Sequence, residues 1–274
     1  LRLSVTDRCN LRCRYCMPEE GVEFVSKTQV LSFEEITRIV RCFVALGVDH
    51  IKLTGGEPLL RRDLAALVST LTALDGVVDV SMTTNGLGLA RAATALREAG
   101  LSRVNLSLDT LSRARFEALT RRDCLPQVLA GLGALKDAGF ERTKLNAVVI
   151  GGQNCDELAA LVVFGIRHQL VVRFIEYMPI GLDQHWSKAT FVPVQSMLQR
   201  LSTAFDVGDS TGFGLESDVV GAGPARYRLL TRRSDGAVAK VGFITALSEH
   251  FCGECNRVRL TAQGTLQECL AVPG

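Results

Sequence analysis

The sequence predicts an α/β protein: an incomplete (β/α)6 barrel of the TIM type, followed by a C-terminal extension. Strand-like runs alternate with amphipathic helical patterns for most of the 274 residues, which is typical of parallel βα units, and six units are counted. The chain is 47% hydrophobic and 22% charged, enough to form a large core. A doubly wound sheet is the structural alternative. In a barrel, chemistry is expected at the carboxyl ends of the strands.

The order of the elements follows from the periodicity. Strands are predicted at residues 1–5, 50–54, 77–83, 103–109, 143–150 and 170–177. The first helix follows Ser32, because Ser32 and Glu35 form a capping-box pattern before an apolar stripe, and Gly47 ends it. Further helices are predicted at residues 63–74, 89–99, 126–138 and 156–168.

The C-terminal part has a different character. Residues 206–224 are rich in Gly, Asp and Ser, which predicts a linker, and strands are expected at 226–231 and 238–245. We therefore expect two domains: the barrel in residues 1–205 and a C-terminal region in residues 206–274.

A cysteine triplet directly follows the first strand. Cys9, Cys13 and Cys16 form a C-x₃-C-x₂-C pattern, and three thiolates this close indicate one metal centre. Iron–sulfur clusters take four ligands, so three cysteines leave one iron open. This is the signature of an enzyme that binds S-adenosylmethionine on a 4Fe–4S cluster and cleaves it to a radical. Zinc and a disulfide are the alternatives.

A second triplet lies near the C-terminus. Cys252 and Cys255 are followed after thirteen residues by Cys269, and zinc with a fourth ligand such as His250 is the alternative here. Arg257 and Arg259 come next to the first pair and share one face of an extended segment. Guanidinium groups suit a phosphate or a base edge, although an Arg-x-Arg taken alone is usually solvated surface.

Polar residues occupy strands that should be apolar. Buried parallel strands usually read as continuous apolar runs, but five of the predicted strands have one polar face. The polar positions include Lys52 and Thr54, then Asn105, Ser107 and Asp109, then Lys144 and Asn146, and finally Arg173. A solvated edge strand would explain one such strand but hardly five. The pattern therefore predicts a polar, cationic binding cavity inside the barrel.

Two loops at the ends of strands carry further signals. Gly55, Gly56 and Glu57 follow the second strand, where glycines allow the backbone to approach a ligand and a carboxylate suits the ammonium group of an amino acid. Thr83 and Gly86 bound a Thr-Thr-Asn-Gly loop after the third strand. Because a helix follows it, we expect this loop at the active rim.

Composition excludes several classes of partner. The net charge of +2 gives no sign of the strongly basic surface that binds nucleic acid, and 6% aromatic residues provide few side chains on which bases could stack. No apolar run is long enough to span a membrane, so no membrane partner is expected. Nine cysteines, several of them grouped by short spacings, indicate a reducing compartment.

Taken together, the motifs resemble those of the radical S-adenosylmethionine GTP 3′,8-cyclases, the family that catalyses the first step of molybdenum cofactor biosynthesis. The resemblance rests on both cysteine triplets, the Gly-Gly-Glu-Pro and Thr-Thr-Asn-Gly loops, the Asn-Leu-Ser-Leu-Asp and Arg-Phe-Ile-Glu-Tyr-Met strands, and Asn-Arg-Val-Arg after Cys255. It covers nearly the whole chain. It implies an incomplete barrel with two 4Fe–4S clusters at opposite ends of one cavity.

The resemblance also implies roles for individual residues. The ligands of the first cluster would be Cys9, Cys13 and Cys16, and those of the second Cys252, Cys255 and Cys269. The contacts of S-adenosylmethionine would be Tyr15, Gly56, Ser107 and Met178. The contacts of GTP would be Arg2, Lys52, Thr83, Lys144, Arg257, Val258 and Arg259, with Arg173 as a further basic residue of the pocket. No residue is assigned as a catalytic acid or base.

The implied reaction is reductive. S-adenosylmethionine is split to methionine and a 5′-deoxyadenosyl radical, which takes hydrogen from the ribose 3′ carbon of GTP. That carbon then attacks carbon 8 of guanine, and an electron and a proton quench the product radical. The expected partners are GTP, an electron donor of the flavodoxin or ferredoxin type and the next enzyme of the pathway, and a homodimer is one expectation for the assembly.

Three departures from the family pattern bear on activity. Lys52 replaces the usual Arg, Ala271 replaces the usual Phe, and the family's double-glycine tail is absent after Gly274. We expect the chain to be a fragment, since Leu1 also lies inside a strand pattern, and we expect it to bind clusters and GTP yet turn over poorly.

Other readings remain open from sequence alone. The alternatives are another radical S-adenosylmethionine enzyme with an auxiliary cluster, of the peptide-maturase type, and a zinc-stabilised binding module. Local motifs favour the eukaryotic branch, which implies the mitochondrial matrix, whereas a bacterial chain implies the cytoplasm.

Overall fold

The computed structural model describes residues 1–181, 185–213 and 223–271, with the backbone alone at 210–213. Its eleven strands form one sheet. The strands are β1 (Arg2–Ser4), β2 (His50–Thr54), β3 (Asp79–Thr84), β4 (Arg103–Ser107), β5 (Lys144–Val149), β6 (Val171–Glu176), β7 (Phe205–Phe213), β8 (Arg226–Arg232), β9 (Val238–Ile244), β10 (Arg259–Leu260) and β11 (Leu266–Gln267).

The strand order identifies the architecture. It runs β11-β10-β1-β2-β3-β4-β5-β6-β9-β8-β7, and neighbours from β1 to β6 are all parallel. A doubly wound sheet reverses its strand order at a switch point, whereas β1 to β6 follow one another without reversal. The six βα units of a partial barrel are therefore confirmed, and the doubly wound alternative is wrong.

Seven α-helices accompany these strands among the described residues. They are α1 (Phe33–Ala45), α2 (Leu64–Thr72), α3 (Leu89–Glu98), α4 (Arg113–Thr120), α5 (Leu125–Asp137), α6 (Leu158–His168) and α7 (Val194–Leu201). At α1 the hydroxyl of Ser32 accepts from the Glu35 amide at 3.1 Å, and the Glu35 carboxylate accepts from the Ser32 amide at 2.8 Å. Such a cap stabilises a helix by about 1 kcal/mol. Gly47 follows with a φ of +85°.

The main core lies between the helices and the apolar face of the sheet. Ile51 and Leu53 of β2 alternate with the partly exposed Lys52, and they belong to one buried cluster with Val40 of α1 and Leu71 of α2. Burying an aliphatic side chain of this kind contributes about 1.5–3 kcal/mol. The opposite face of β2 is thus left for the barrel interior.

The extension differs from the sequence prediction. Residues 206–224 were expected to be a linker, but β7 occupies residues up to Phe213 and pairs antiparallel with β8, while residues 214–222 lie outside the described part. Pairing with a neighbouring strand outweighs the low strand propensity of Gly, Asp and Ser. Sequence reasoning also missed α4 and α7.

Strands of the extension join the barrel sheet at both ends. β9 lies parallel to β6, and β10 lies parallel to β1. The predicted division at residue 205 remains a prediction, but strands on its two sides share one sheet. The described residues contain no helix that is both long and apolar enough to cross a membrane.

Candidate active site between two cysteine triplets

The first triplet lies at the carboxyl edge of the sheet, where β1 to β6 end. Glycines of the loop after β2 hold the segment that precedes Cys9. The Gly56 amide donates to the Thr6 carbonyl at 2.8 Å, and a Cβ at Gly56 would lie 2.2 Å from the Arg8 carbonyl oxygen. The close backbone approach predicted for Gly56 is therefore made to the cysteine segment, and its contact with a cofactor remains a prediction.

Helix α4 holds the other side of the same loop. The Arg12 and Arg14 amides donate to the carbonyls of Thr120 and Leu119 at 3.1 and 2.9 Å. Arg121, whose φ is +57°, donates through Nη1 to the Met17 carbonyl at 3.0 Å. Sequence reasoning missed this support, because α4 is short and its apolar periodicity is weak.

The three thiols fit an iron–sulfur cluster. Cys9, Cys13 and Cys16 are free thiols, and burial raises the pKa of each. The negative charge of Asp109, and those of Cys16 and Cys9 when they are thiolates, raise the pKa of Cys13 further. Thiolates in such a place need a strong positive partner. Among the described residues, no three His, Cys, Asp or Glu side chains lie close enough together to ligate one metal ion. An iron–sulfur cubane does not need them to, because each thiolate would bind a different iron.

A pocket opens beside Cys13. Tyr15, Ser107 and Asp109 line it, and the Tyr15 hydroxyl donates to Asp109 Oδ2 at 2.6 Å. Burial raises the pKa of Asp109 to about 6, although hydrogen bonds from Tyr15 and Val148 oppose the rise. Sequence reasoning placed Asp109 on the polar face but gave it no role.

The residue before Met178 packs against the wall of this pocket. Met178 directly follows Tyr177, whose ring meets that of Tyr15 edge-on with 6.4 Å between the ring centroids. The structure thus brings Tyr15 and Ser107 to one pocket and places Met178 next to a ring that packs on Tyr15.

The carboxylate of Glu57 was expected to bind an ammonium group, and the structure corrects this. Its Oε1 accepts from the Thr84 hydroxyl at 2.6 Å and the Leu59 amide at 3.0 Å, and its Oε2 accepts from the Asn85 amide at 2.7 Å. Only 1% of Glu57 is exposed. The side chain therefore ties the loop after β2 to the loop after β3. Asn85 in turn donates to Asn10 Oδ1 at 2.8 Å.

The second triplet lies at the opposite edge of the sheet. Cys252 and Cys255 precede β10, which runs parallel to β1, whereas the first triplet follows β1. Cys269 comes two residues after β11, which is antiparallel to β10, so it returns to the same edge as Cys255. All three thiols are exposed. The nearby His250 has its Nδ1 3.1 Å from the Ala246 carbonyl oxygen.

Arg257 connects the second triplet to the interior. Burial of Cys255 would raise its pKa, but hydrogen bonds from the backbone and side chain of Arg257 and the charges of Arg257 and Arg2 lower it. Arg259 lies beside the charges of Cys255 and Cys269. The thiols of this triplet therefore lie among guanidinium groups.

Several cations lie on one face of the sheet, and we give the name cationic face to five of them: Arg2, Lys52, Lys144, Arg173 and Arg259. In the pairing register Arg259 lies beside Arg2, and Arg2 lies beside Lys52. Further along, Asn105 of β4 lies beside Lys144, and Asn146 of β5 lies beside Arg173. Between these two sets of pairs, Ser81 of β3 pairs with Lys52 on one side and with Arg103 of β4 on the other. Paired residues, and residues two apart on a strand, point to the same side.

The cationic face has few counter-charges in the part of the chain that the structure describes. Among the described residues none of its members forms an ion pair with a carboxylate. Burial and the neighbouring cations lower the pKa of Arg2 to about 9 and that of Lys144 to about 7, and the same causes lower the pKa of Lys52. The charge of such a face is complementary to that of a polyanion.

Thr83 lies on the same face of β3 as Ser81, the residue that pairs with Lys52. Thr83 pairs in register with Asn105 on β4 and is partly exposed. Val258 accepts a backbone hydrogen bond from the Arg2 amide at 2.8 Å, which fixes the β10 segment against β1. Every residue that was predicted to contact GTP therefore lies on this face or beside it.

Two family models match the chain. One describes the Radical SAM superfamily and matches residues 3–164. The other, Molybdenum Cofactor Synthesis C, matches residues 170–273.

Relatives match over almost the whole chain. The GTP 3′,8-cyclase of Pelotomaculum thermopropionicum is 46% identical over 98% of this chain and 80% of its own. That of Heliobacterium modesticaldum is 45% identical over 98% and 80%. The crystal structure of Streptococcus suis SuiB is similar in fold alone, with a TM-score of 0.58, 18% identity and coverage of 74% of this chain and 44% of its own. The chain therefore belongs to the radical SAM superfamily and, within it, to the GTP 3′,8-cyclase family of molybdenum cofactor biosynthesis.

Proposed function

We propose that this protein cyclises GTP to 3′,8-cyclo-7,8-dihydro-GTP, the first step of molybdenum cofactor biosynthesis. One observation carries the proposal. An unbalanced cationic face extends between two cysteine triplets that lie at opposite edges of the same sheet. A triphosphate matches the charge of that face. Membership of a family whose relatives are named GTP 3′,8-cyclases supports the same substrate.

The carboxyl edge is the proposed radical source. Cys9, Cys13 and Cys16 would hold a 4Fe–4S cluster, and Tyr15, Gly56, Ser107 and Met178 would contact S-adenosylmethionine. With S-adenosylmethionine bound, the cluster supplies a 5′-deoxyadenosyl radical. The chain's own share would be to hold the cofactor at the carboxyl edge and to screen it from water, with the Tyr15–Asp109 hydrogen bond fixing the cysteine loop beside it.

The cationic face is the proposed substrate platform. Arg2, Lys52, Thr83, Lys144, Arg173, Arg257, Val258 and Arg259 would contact GTP. Cations held on neighbouring strands fix the phosphates in space, so the ribose is oriented as well. Holding the nucleotide in one place directs the ribose 3′ carbon towards the carboxyl edge, and this positioning is the main catalytic contribution of these residues.

The amino edge is the proposed site of a second 4Fe–4S cluster. Cys252, Cys255 and Cys269 would supply three ligands, which leaves one iron for the guanine base. Three exposed thiols beside Arg257 and Arg259 support this arrangement. The zinc alternative would need a fourth protein ligand, and His250 Nδ1 lies instead beside a backbone carbonyl.

Partners and location follow from this chemistry. The reduction requires an electron donor of the flavodoxin or ferredoxin type, and the product would pass to the next enzyme of the pathway. A homodimer remains a proposal. The cited relatives are bacterial, which supports the cytoplasm over the mitochondrial matrix, and the nine free cysteines suit a reducing compartment.

Anaerobic reconstitution tests the proposal. The chain is loaded with iron and sulfide and incubated with reductant, S-adenosylmethionine and GTP, and 5′-deoxyadenosine and the cyclised nucleotide are measured. GTP-dependent formation of both is expected. Zinc without acid-labile sulfide, or radical formation stimulated by a peptide and not by GTP, would reject this function.

A further inference from the structure

Two asparagines touch the cations of the cationic face. Arg173 Nε donates to Asn146 Oδ1 at 2.8 Å. Asn105 lies between two cations: in the amide orientation that satisfies both of its ends, its oxygen accepts from Lys52 Nζ at 2.6 Å and from Arg173 Nη2 at 3.1 Å. The chain Lys52–Asn105–Arg173–Asn146 thus joins β2, β4, β5 and β6 through amide oxygens.

These acceptors are neutral where carboxylates are the usual partners. Asp79 and Arg103, on the same face, provide the comparison within this chain: Arg103 Nη2 donates to Asp79 Oδ2 at 2.6 Å, and Asp79 also accepts from Ser102. Arg103 is only 7% exposed, and Arg173 and Asn105 are buried to a similar degree at 6% and 3%. One buried guanidinium is held by a carboxylate, whereas the other is held by amides and by a hydrogen bond with the side chain of Tyr227.

The choice of acceptor decides how much charge is left for a ligand. An amide oxygen orients a cation without cancelling its charge, whereas a carboxylate at the same distance would neutralise it. Burial and the surrounding cations lower the pKa of Lys52, which reflects this lack of counter-charge. Repulsion between these cations therefore destabilises the free protein, and a bound polyanion would remove that repulsion.

We propose that Asn105 and Asn146 are positioning residues that aim Lys52 and Arg173 at the nucleotide while leaving their charges uncompensated. The proposal rests on the proposed function and deepens it. The two side chains act through the cations they hold, and their neutrality sets the preference of the site for a highly charged phosphate ligand.

The test is a pair of nearly isosteric charge changes, Asn105→Asp and Asn146→Asp. Either carboxylate keeps an acceptor oxygen in place and adds a negative charge. We expect each to weaken binding of GTP and of inorganic triphosphate by at least tenfold and to flatten the salt dependence of binding. We also expect the thermal midpoint of the nucleotide-free, cluster-loaded protein to rise, because a buried cation gains a counter-charge.

The proposal requires the affinity for GTP and triphosphate to fall while the thermal midpoint of the nucleotide-free protein rises. A merely structural role for the asparagines predicts that Asp lowers the midpoint, or that it leaves triphosphate affinity unchanged, and either result overturns the proposal. Gln127→Glu, on the exposed side of α5, is the control for net charge and should leave GTP affinity unchanged. Affinity for S-adenosylmethionine should be retained in every variant.

Failure of the inference can be told from failure of the function. If the unaltered protein binds neither GTP nor triphosphate, the proposed function fails before the variants are considered. If it binds both and the Asp variants bind equally well, the function stands and the role of Asn105 and Asn146 is rejected.

Discussion

The phenol of Tyr15 donates a 2.6 Å hydrogen bond to Asp109 and thereby joins the loop of the first triplet to the end of β4. The other oxygen of Asp109 accepts from the Val148 amide at 2.8 Å, and its carbonyl accepts from Asn154 at 2.7 Å. The carboxylate of Asp109 therefore links the cysteine loop to β5, and its backbone carbonyl links the end of β4 to the turn after β5.

Removing this carboxylate should damage the cofactor pocket first. Asp109→Leu leaves the Tyr15 hydroxyl and the Val148 amide without partners, at a cost of about 1–3 kcal/mol for each buried group. We expect affinity for S-adenosylmethionine to fall by about tenfold or more, measured by its effect on the spectrum of the first cluster. Asp109→Asn keeps one acceptor and should lose less. An unchanged affinity in Asp109→Leu would exclude a role in the pocket.

Each triplet should account for about half of the bound iron. Two sites of three cysteines imply two four-iron clusters, so Cys13→Ala and Cys255→Ala should each remove roughly half of the iron and acid-labile sulfide after reconstitution. Cys42→Ala, at an exposed position of α1, is the matched control. Full iron content in either triplet variant would mean that its triplet is not a cluster site.

Arg257→Ala should weaken GTP binding selectively. A charge-assisted contact contributes about 1.5–3 kcal/mol, so an increase of at least about tenfold in the dissociation constant of GTP is expected from calorimetry. Affinity for S-adenosylmethionine should be almost unchanged, because its pocket lies at the other edge. Arg38→Ala, on the exposed side of α1, provides the control. Equal loss of both ligands would indicate a structural role.

GTP should perturb the second cluster. In a Cys13→Ala background, which lacks the first cluster, electron-nuclear double resonance should change when GTP is added and should not change with S-adenosylmethionine. The reason is the open iron beside Arg257. A spectrum insensitive to GTP, or a fourth protein ligand such as His250 on that iron, would leave this cluster with a structural role only.

Deprotonation of Lys144 should stabilise the folded protein but weaken its binding of GTP. Burial, then the charges of Arg173 and Arg103, lower its pKa to about 7, with Asp79 opposing and Lys240 adding to the shift. An unfolded lysine keeps its proton up to about pH 10.4, so between about pH 7 and 10 the unfolded chain binds more protons. The contribution of Lys144 to the free energy of unfolding therefore rises with pH across this window.

Binding should have the opposite pH dependence, because a phosphate favours the protonated amine. GTP affinity should fall as the pH rises above about 7, and Lys144→Met should remove part of that dependence and raise the thermal midpoint of the nucleotide-free protein. Identical pH profiles in Lys144→Met and the unaltered protein would show that this amine does not face the nucleotide.

The barrel could be predicted because its signals are local. The capping box at Ser32 and Glu35, and the polar alternation around Lys52, depend only on neighbours in sequence, and both occur as predicted. β7 and Glu57 could not be predicted in this way. A Gly- and Asp-rich run becomes a strand only when β8 lies beside it, and a carboxylate in a glycine loop finds its partners on another loop.

The polar side chains of the site were easier to identify than their partners. Spacing placed Asn105, Asn146 and Arg173 on one face, but hydrogen bonding among them depends on strand register, which no local pattern contains. The Asp79–Arg103 pair was missed for the same reason, since its members belong to different strands. Assignment of individual residues to GTP or S-adenosylmethionine still rests on family resemblance.

The pairing of β10 with β1 has a consequence for how the chain folds. Arg2 and its neighbour Arg259 lie side by side in the sheet but far apart in the sequence. Until β10 docks, one side of β1 is unpaired, and closing so long a loop is slow. The face between the two triplets is thus complete only after this long-range contact has formed, and until then the unpaired side of β1 is open to aggregation.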